Sequence, residues 1–461
     1  MRRTAVVIGG GVAGLAAAHR LVEHARASAP LDVILLERSE RLGGSISTEH
    51  SGGFTIERGA DAFLTEKPWA LALCERLGIG ERLIGTRAGD RRTYVVHQRR
   101  LVPLPDGFVL LAPTDVGALV RSPLFSWRGK LRMALDLVLP RRPDDATDET
   151  LAAFVRRRLG REALERAADP LVGGIYTADP ERLSLAATMP RFLELERRYR
   201  SLIRALHAEV GARATAGARY GLFASHAEGM GALVAAVASR LPEGVVRLRT
   251  PVESLARDAQ TWRVCSAGHS FAADAVVLAT PGFVAAELLA PLDPPLASDL
   301  AAIEYASSAT ITLGFRSADV PALRGFGFVV PAIERRPLLA CTFSSRKWAN
   351  RAPEGHELLR AFVGGARRPE VAELPDDVLT ATVRHELEDL LGVTAAPVLT
   401  RIHRHPRAMP QYAVGHLDRL ARIDARLAGL PGLALAGGAY RGLGIPDCVR
   451  SGEAAADAVA G

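Results

Sequence analysis

Lysine is nearly absent from this chain of 461 residues: Lys67, Lys130 and Lys347 are the only three. Arginine carries the positive charge instead, spread along the chain rather than gathered in blocks. The net charge of +7 would suit an acidic partner, an anionic substrate or a membrane surface, but the spread pattern fits a general arginine bias in composition better than a nucleic-acid tract, and no groove-reading motif accompanies it. The four cysteines (Cys74, Cys265, Cys341, Cys448) lie far apart with no Cys-x-x-Cys, which argues against a disulfide framework or a zinc site and for a reducing cytosol. No apolar run approaches the ~20 residues of a membrane span, and no signal-peptide core follows Met1. A cytoplasmic protein is expected, with peripheral contact to the inner face of a membrane left open. There is no Ser/His/Asp order, no paired-carboxylate motif and no Gly-Lys-Ser/Thr phosphate loop. His403-x-His405 would share one strand face but brings no third ligand, so no metal is expected. No catalytic side chain can be named from these patterns.

What is present begins at the N-terminus. Ala5 to Ile8 make a buried strand, and Gly9-Gly10-Gly11-Val12-Ala13-Gly14 follows at once. A helical apolar stripe runs from Leu15 to Ala25, and a second strand, Asp32 to Leu36, ends on Glu37. In a dinucleotide fold Gly9 allows the turn, Gly11 lets backbone approach a pyrophosphate, and Gly14 with Ala18 permits close packing. Glu37 can accept hydrogen bonds from the adenosine ribose. Strand, glycine loop, helix and acid in this order make a strong signal. After Glu37 come Arg38, Arg41, Gly43 and Gly44, a pattern that resembles the second flavin motif of the FAD-dependent amine oxidase and desaturase class. No second Gly-x-Gly-x-x-Gly follows a strand, so FAD is the expected cofactor and no separate nicotinamide domain is expected.

The C-terminus has the complementary pattern. Leu433 to Ala436 read as a strand; Gly437, Gly438, Gly442 and Gly444 then lead to Pro446 and Asp447 at the start of a helix. Glycine-rich backbone entering a helix N-terminus presents unpaired N–H groups and a positive dipole end, suited to the N1 and C2 edge of a reduced flavin.

Several segments together resemble the oxygen-dependent porphyrinogen oxidases of haem biosynthesis, the protoporphyrinogen and coproporphyrinogen III oxidase family. They are "IERGADAFLTEKP" from Ile56, "FVRRRLGREALERAADPLVGGIYTADPERLSLAATMPRF" from Phe154, "MPQYAVGHLDRL" from Met409 and "GGAYRGLGIPDCVRSGEAAADAVA" from Gly437. They span almost the whole chain. The resemblance implies an α/β FAD-binding, Rossmann-like domain of the amine-oxidase type, a mixed α+β substrate domain and a helical domain of the membrane-docking kind. It implies FAD contacts at Gly9 to Gly14, Glu37, Arg38, Ser45, Glu57, Arg58, Gly59, Ala60, Val252, Gly438, Leu443, Gly444 and Ile445, beside Arg41 and Gly44 of the second motif. It places a propionate-binding arginine at Arg91 or Arg92, a contact to the pyrrole N–H groups at the Gly174 carbonyl, and apolar walls above and below the macrocycle at Val329 and Phe362.

Boundaries follow: 1–85, 225–281 and 428–461 for FAD; 86–100, 201–224 and 282–427 for substrate; 101–200 for the helices. Phe125, Trp127, Leu131, Met133, Leu135 and Leu137, flanked by basic residues, would either meet an anionic membrane or form a helical cap. Arginines border every part of the expected cavity, among them Arg91, Arg92, Arg191, Arg335 and Arg336. The implied reaction oxidises a porphyrinogen, a tetrapyrrole, to the porphyrin in three two-electron steps, with molecular oxygen as acceptor and peroxide as by-product. Coproporphyrinogen III, with four propionates, is preferred over protoporphyrinogen IX. The alternatives are another flavin oxidoreductase of this fold, such as an amine oxidase or desaturase, and a flavin-bound scaffold without turnover.

Overall fold

A computed structural model describes residues 3–27, 30–109, 112–113, 115–143, 147–213, 222–259, 261–266 and 268–460. The Ala5–Ile8 run is buried because parallel neighbours cover both edges of its strand. Arg3–Ile8 pairs with Leu31–Leu36 on one side and Ala275–Leu278 on the other. Val246–Arg247 and Leu433–Leu435 complete a five-stranded parallel sheet. Near-continuous apolar strands are what a sheet covered on both faces demands. The helix Val12–Ala27 covers one face and packs on the terminal helix Ile445–Ala460. A Cβ at Gly452 would lie 2.1 Å from the Ala13 carbonyl oxygen, so only glycine permits that approach. The chain's last helix is thereby locked onto its first. Beside this sheet, Ser254–Asp258, Thr261–Ser266 and His269–Ala273 form the expected antiparallel meander.

A second, seven-stranded sheet runs in the order Leu399–Pro410, Tyr305–Arg316, His356–Gly364, Leu338–Phe343, Gly327–Val329, Thr93–His97, Arg100–Pro103. Its pairs are antiparallel except Gly327–Val329 with Thr93–His97. Side chains alternate across a strand, so the sheet has two separate cores. One face packs against the helix Asp376–Leu391 through Leu379, Val383 and Leu387. The other, through Val329 and Ala340, joins a cluster of helices that includes Leu151–Arg158, Asp169–Tyr176 and Pro190–Tyr199.

Two expectations change here. The helix Leu202–Arg213, placed by sequence with the substrate region, buries Leu202, Ala205 and Leu206 in the helical cluster; residues 214–221 of that stretch lie outside the described ones. Of the six apolar residues expected to face a membrane or cap, Phe125 and Met133 are buried in the same cluster. Trp127 (66 % exposed), Leu131 (68 %) and Leu135 stay at the surface with Val138. An i, i+4, i+8 spacing keeps Trp127, Leu131 and Leu135 on one side, whereas Met133 falls on the other face of the helix Trp127–Ala134 and Phe125 precedes its Ser126 cap.

Candidate functional site

Three glycines of the N-terminal loop are required for three different reasons. Gly9 has φ +106°, a conformation that suits glycine. A Cβ at Gly14 would sit 1.8 Å from the Gly9 carbonyl oxygen, so the helix start presses directly on the loop. A Cβ at Gly11 would meet nothing within 4 Å. No protein atom therefore accounts for Gly11; the space beside it is the cradle a side chain would fill.

The second motif docks onto the first. The Gly43 N–H donates to the Gly10 carbonyl at 2.8 Å, and Gly44 lies against the Gly11 Cα. Arg41 holds this loop in shape by donating to the carbonyls of Gly44 (2.7 Å) and Leu42 (3.2 Å). Half-buried Glu37 accepts from the Gly10 N–H at 2.6 Å and the Ser39 N–H at 2.8 Å. These two bonds fix the carboxylate where the two motifs meet and leave each oxygen a further lone pair. Arg38 and Ser45 are exposed. Val252 follows a segment tied to the same turn, since the Thr250 N–H donates to the Glu37 carbonyl and that of Arg249 to Ser39.

The stretch from Glu57 to Ala60 crosses this loop. Gly59 presses on the Ser45 carbonyl, where a Cβ would come within 1.7 Å. The side chain of Glu57, a residue expected to contact FAD, is committed to the protein: it accepts from the Met230 N–H and from the Thr48 hydroxyl, each at 2.8 Å, and is buried. Burial pushes its carboxyl above the usual range. What Glu57 can offer a cofactor is backbone. Arg58 pairs with Glu49 at 3.1 Å, and Ala60 is exposed.

At the other end of the chain one side chain missed by sequence organises the glycine loop. The Tyr412 hydroxyl donates to the Gly438 carbonyl and accepts from the Gly442 N–H, both at 2.8 Å. Its ring stacks on His416 at 4.1 Å, and His416 Nε2 reaches the Tyr440 carbonyl. Gly442, with φ +126°, lies over buried Asp447, whose carboxylate takes a 2.6 Å hydrogen bond from Lys67 Nζ. Gly444 also touches Asp447, and Ile445 opens the helix. Cys448 is buried beside Leu443; burial pushes its thiol up to about 12, so it is no nucleophile for linking a flavin.

The seven-stranded sheet supplies the opposite wall. Register sets one continuous cross-strand row: Val95, Val329, Ala340, Phe362, Thr310, His403. The first four pack with the helices, beside Leu443. The last two are polar. Thr310 Oγ1 and His403 Nδ1 are buried without a partner among the described residues, as are Thr312 Oγ1 and Arg360 Nε nearby. Arg360 Nη2 donates to the Gly59 carbonyl at 2.6 Å, which brings this polar end of the sheet onto the dinucleotide loops. Over the apolar end stands Gly174, whose Cβ position is 3.6 Å from Val329 Cγ1. Its helix follows directly on a π-turn at Leu164–Ala168 and ends at left-handed Thr177, whose N–H is donated to Gly173. The Gly174 carbonyl accepts no hydrogen bond among the described residues. The open space at Gly11 and the orphaned polar atoms across from Gly59 are what a long cofactor between the two sheets would fill.

Arg91 and Arg92 stand at the entrance to this row, exposed, ahead of Thr93. They are not equivalent. Arg92 donates to both oxygens of Asp90, at 2.7 and 2.5 Å, whereas Arg91 has no partner among the described residues. Arg336 is held by Glu386 and Asp389 and is not available to a substrate; Arg191 is 3.9 Å from Glu66. Among the described residues no group of three His, Cys, Asp or Glu could hold a metal ion, and no helix is long and apolar enough to cross a membrane.

The model of the flavin containing amine oxidoreductase family matches residues 12–460. Coproporphyrinogen III oxidase of Bacillus subtilis is 35% identical over 98% of this chain and 97% of its own length. The Propionibacterium freudenreichii enzyme of the same name is 37% identical over 98% and 90%. A crystal structure of a candidate protoporphyrinogen oxidase from Exiguobacterium sp. 255-15 superposes with a TM-score of 0.88 at 32% identity, covering 100% of this chain and 99% of that one. Cyclohexylamine oxidase from Brevibacterium oxydans, at 18% identity and a TM-score of 0.72, shares the fold, covering 100% and 99%. The chain belongs to the flavin-containing amine oxidoreductases, an α/β protein of the amine-oxidase type whose cofactor is FAD.

Proposed function

We propose that this chain oxidises a porphyrinogen, with coproporphyrinogen III as the preferred substrate, to the porphyrin in haem biosynthesis, and passes the electrons to oxygen with release of peroxide. The observation that carries this is the cross-strand row from Val95 to His403. Its apolar half offers a flat wall for a macrocycle, while its polar half lies against the dinucleotide loops. The likeness along nearly the whole chain to relatives named coproporphyrinogen III oxidase supports the same reading. Val329 and Phe362, expected above and below the macrocycle, fall in one row on one sheet face and would pack against the same face of the macrocycle. The unpaired Gly174 carbonyl is suited to accept from its pyrrole N–H groups. Arg91, rather than Arg92, would meet a propionate, because the Asp90 carboxylate already occupies the Arg92 fork.

FAD would be held at Gly9–Gly14, Glu37, the Arg41–Ser45 loop, the backbone of Glu57–Ala60, Val252, Gly438 and Leu443–Ile445. When bound, it supplies the two-electron acceptor. The protein's part is to orient and to exclude water: the helix end at Gly174 and the Tyr412-pinned loop close the cavity from two sides. No side-chain base is assigned. Cys448 stands in a Pro-Asp-Cys context that resembles the porphyrinogen family rather than a flavin-linking amine oxidase.

We further infer three regions as outlined from the sequence, with Leu202–Arg213 moved to the helical one. The exposed face of Trp127, Leu131, Leu135 and Val138, with Arg128 beside it, suits loose peripheral contact with an anionic membrane. The test of the reaction uses purified yellow protein and coproporphyrinogen III, first without oxygen and then in air. Porphyrin fluorescence with three peroxides released per porphyrin is the expected outcome. Yellow protein that forms no porphyrin overturns the proposal.

A further inference from the structure

Beside the substrate wall lies a cavity of about 410 Å³ that the reaction does not use. Val329 and Val330 are consecutive and point to opposite faces: Val329 sits with Phe362 in the helical cluster, Val330 in the core beneath the helix Asp376–Leu391. The cavity opens between Val330, Pro331, Leu338 and Leu339 on one side and the helix Asp169–Tyr176 with its end on the other, where Pro170, Gly173, Thr177 and Ala178 line it. Its charge is uneven. Arg336 is matched by Glu386 and Asp389, and Arg367 by Asp169 and Asp179. Arg335, exposed at the mouth of the cavity, has no partner among the described residues and is held in the left-handed region at φ +54°. Thr177 is left-handed as well, at φ +48°, and its buried hydroxyl has no hydrogen-bond partner. Two strained non-glycine residues and an unmatched donor set around one apolar cavity are what a ligand site looks like without its ligand.

We propose that this cavity is a second ligand site, for an apolar molecule bearing a carboxylate, with Arg335 as the carboxylate's partner and the Thr177 hydroxyl as a further donor. A propionate-bearing edge of the porphyrin product has that chemistry, and so does a simple aliphatic acid. That the ligand is the porphyrin rests on the function proposed above; the site itself does not. Thr177 closes the helix that carries Gly174, and its carbonyl accepts from the Ala366 N–H at 2.8 Å. A ligand here therefore touches the same helix end that stands over the substrate wall.

The test titrates the FAD-loaded protein with coproporphyrin III, followed by fluorescence, with octanoate as competitor. Two porphyrins per chain are expected. Arg335→Asn, which tolerates the left-handed conformation, should weaken one of them about ten- to a hundredfold, the effect of losing a charge-assisted bond. Gly174→Val should weaken only the other. Octanoate that displaces the Arg335-dependent porphyrin identifies the site as general for apolar carboxylates; failure to displace it makes the site selective for the macrocycle. One porphyrin per chain, or two that Arg335→Asn leaves unchanged, overturns the proposal. If no porphyrin binds at all, the function reading fails instead. Calorimetry with octanoate then decides the cavity by itself: binding lost in Arg335→Asn supports it, and no binding, or equal binding, overturns it.

Discussion

The two sheets make their sites by opposite means. Around the five-stranded sheet the site is backbone: glycines that let loops touch, and carbonyls and N–H groups held by Arg41, Glu37 and Tyr412. On the seven-stranded sheet it is side chains brought into line by register, from Val95 to His403 across six strands. A backbone site fails when space is taken away, and a register site fails when a side chain is removed. That difference can be tested from both sides.

The largest effect is expected at Gly11. Gly11→Val puts a branched side chain into space no protein atom occupies, so the apoprotein should fold with an unchanged melting temperature yet retain no FAD after gel filtration. Retention of the yellow colour would break the backbone side of the comparison. Gly14→Val provides the contrast. Its Cβ would collide with the Gly9 carbonyl oxygen at 1.8 Å, and overpacking of this kind costs about 1–3 kcal/mol or more. Denaturant unfolding of the apoprotein should show this loss in Gly14→Val and none in Gly11→Val.

On the substrate side, Arg91→Ala should lower kcat/KM for a porphyrinogen about ten- to a hundredfold with FAD still bound. Arg92→Ala should change it far less, because Arg92 already pairs with Asp90. Equal losses in both variants would contradict the distinction drawn between them. Tyr412→Phe strands the Gly438 carbonyl and the Gly442 N–H, a cost of about 1–3 kcal/mol if both stay buried. A lower melting temperature and faster loss of flavin on dilution are expected; an unchanged value for both would mean the loop holds itself.

The smallest effect concerns pH. Burial, then the Arg58 charge, lowers the His403 imidazole from 6.5 to about 4, against the opposing pull of Glu49; His405 and Arg360 add to the lowering. The unfolded chain thus binds a proton in this window that the folded chain refuses, so stability falls as pH drops from about 6.5 towards 4. His403→Gln should flatten this part of the melting-temperature profile. An identical slope in both proteins would remove His403 from the acid response.

Both glycine loops proposed to hold FAD are legible in the chain because backbone demands are local. A left-handed turn, a close approach or a helix start needs particular residues at fixed spacing, and Gly9 to Gly14, Glu37, Arg41 to Gly44 and Gly437 to Asp447 carry that spacing in one dimension. The apolar candidates Val329 and Phe362 came from family likeness, and nothing in their neighbourhood announced that Ala340 and Thr310 stand beside them. Register between strands hundreds of residues apart depends on which face each strand buries, and that is settled only when the sheet and its helices pack together. The same holds for Glu57, whose carboxylate partners, Met230 and Thr48, no local spacing announces. It holds for Arg92, caught by its neighbour Asp90, and for Tyr412, an ordinary aromatic until the chain's end folds back over it. Residue types and spacing determined the cofactor site, because a glycine's conformational freedom belongs to the residue. Partners determined the substrate wall, because a side chain's role depends on what tertiary packing sets against it.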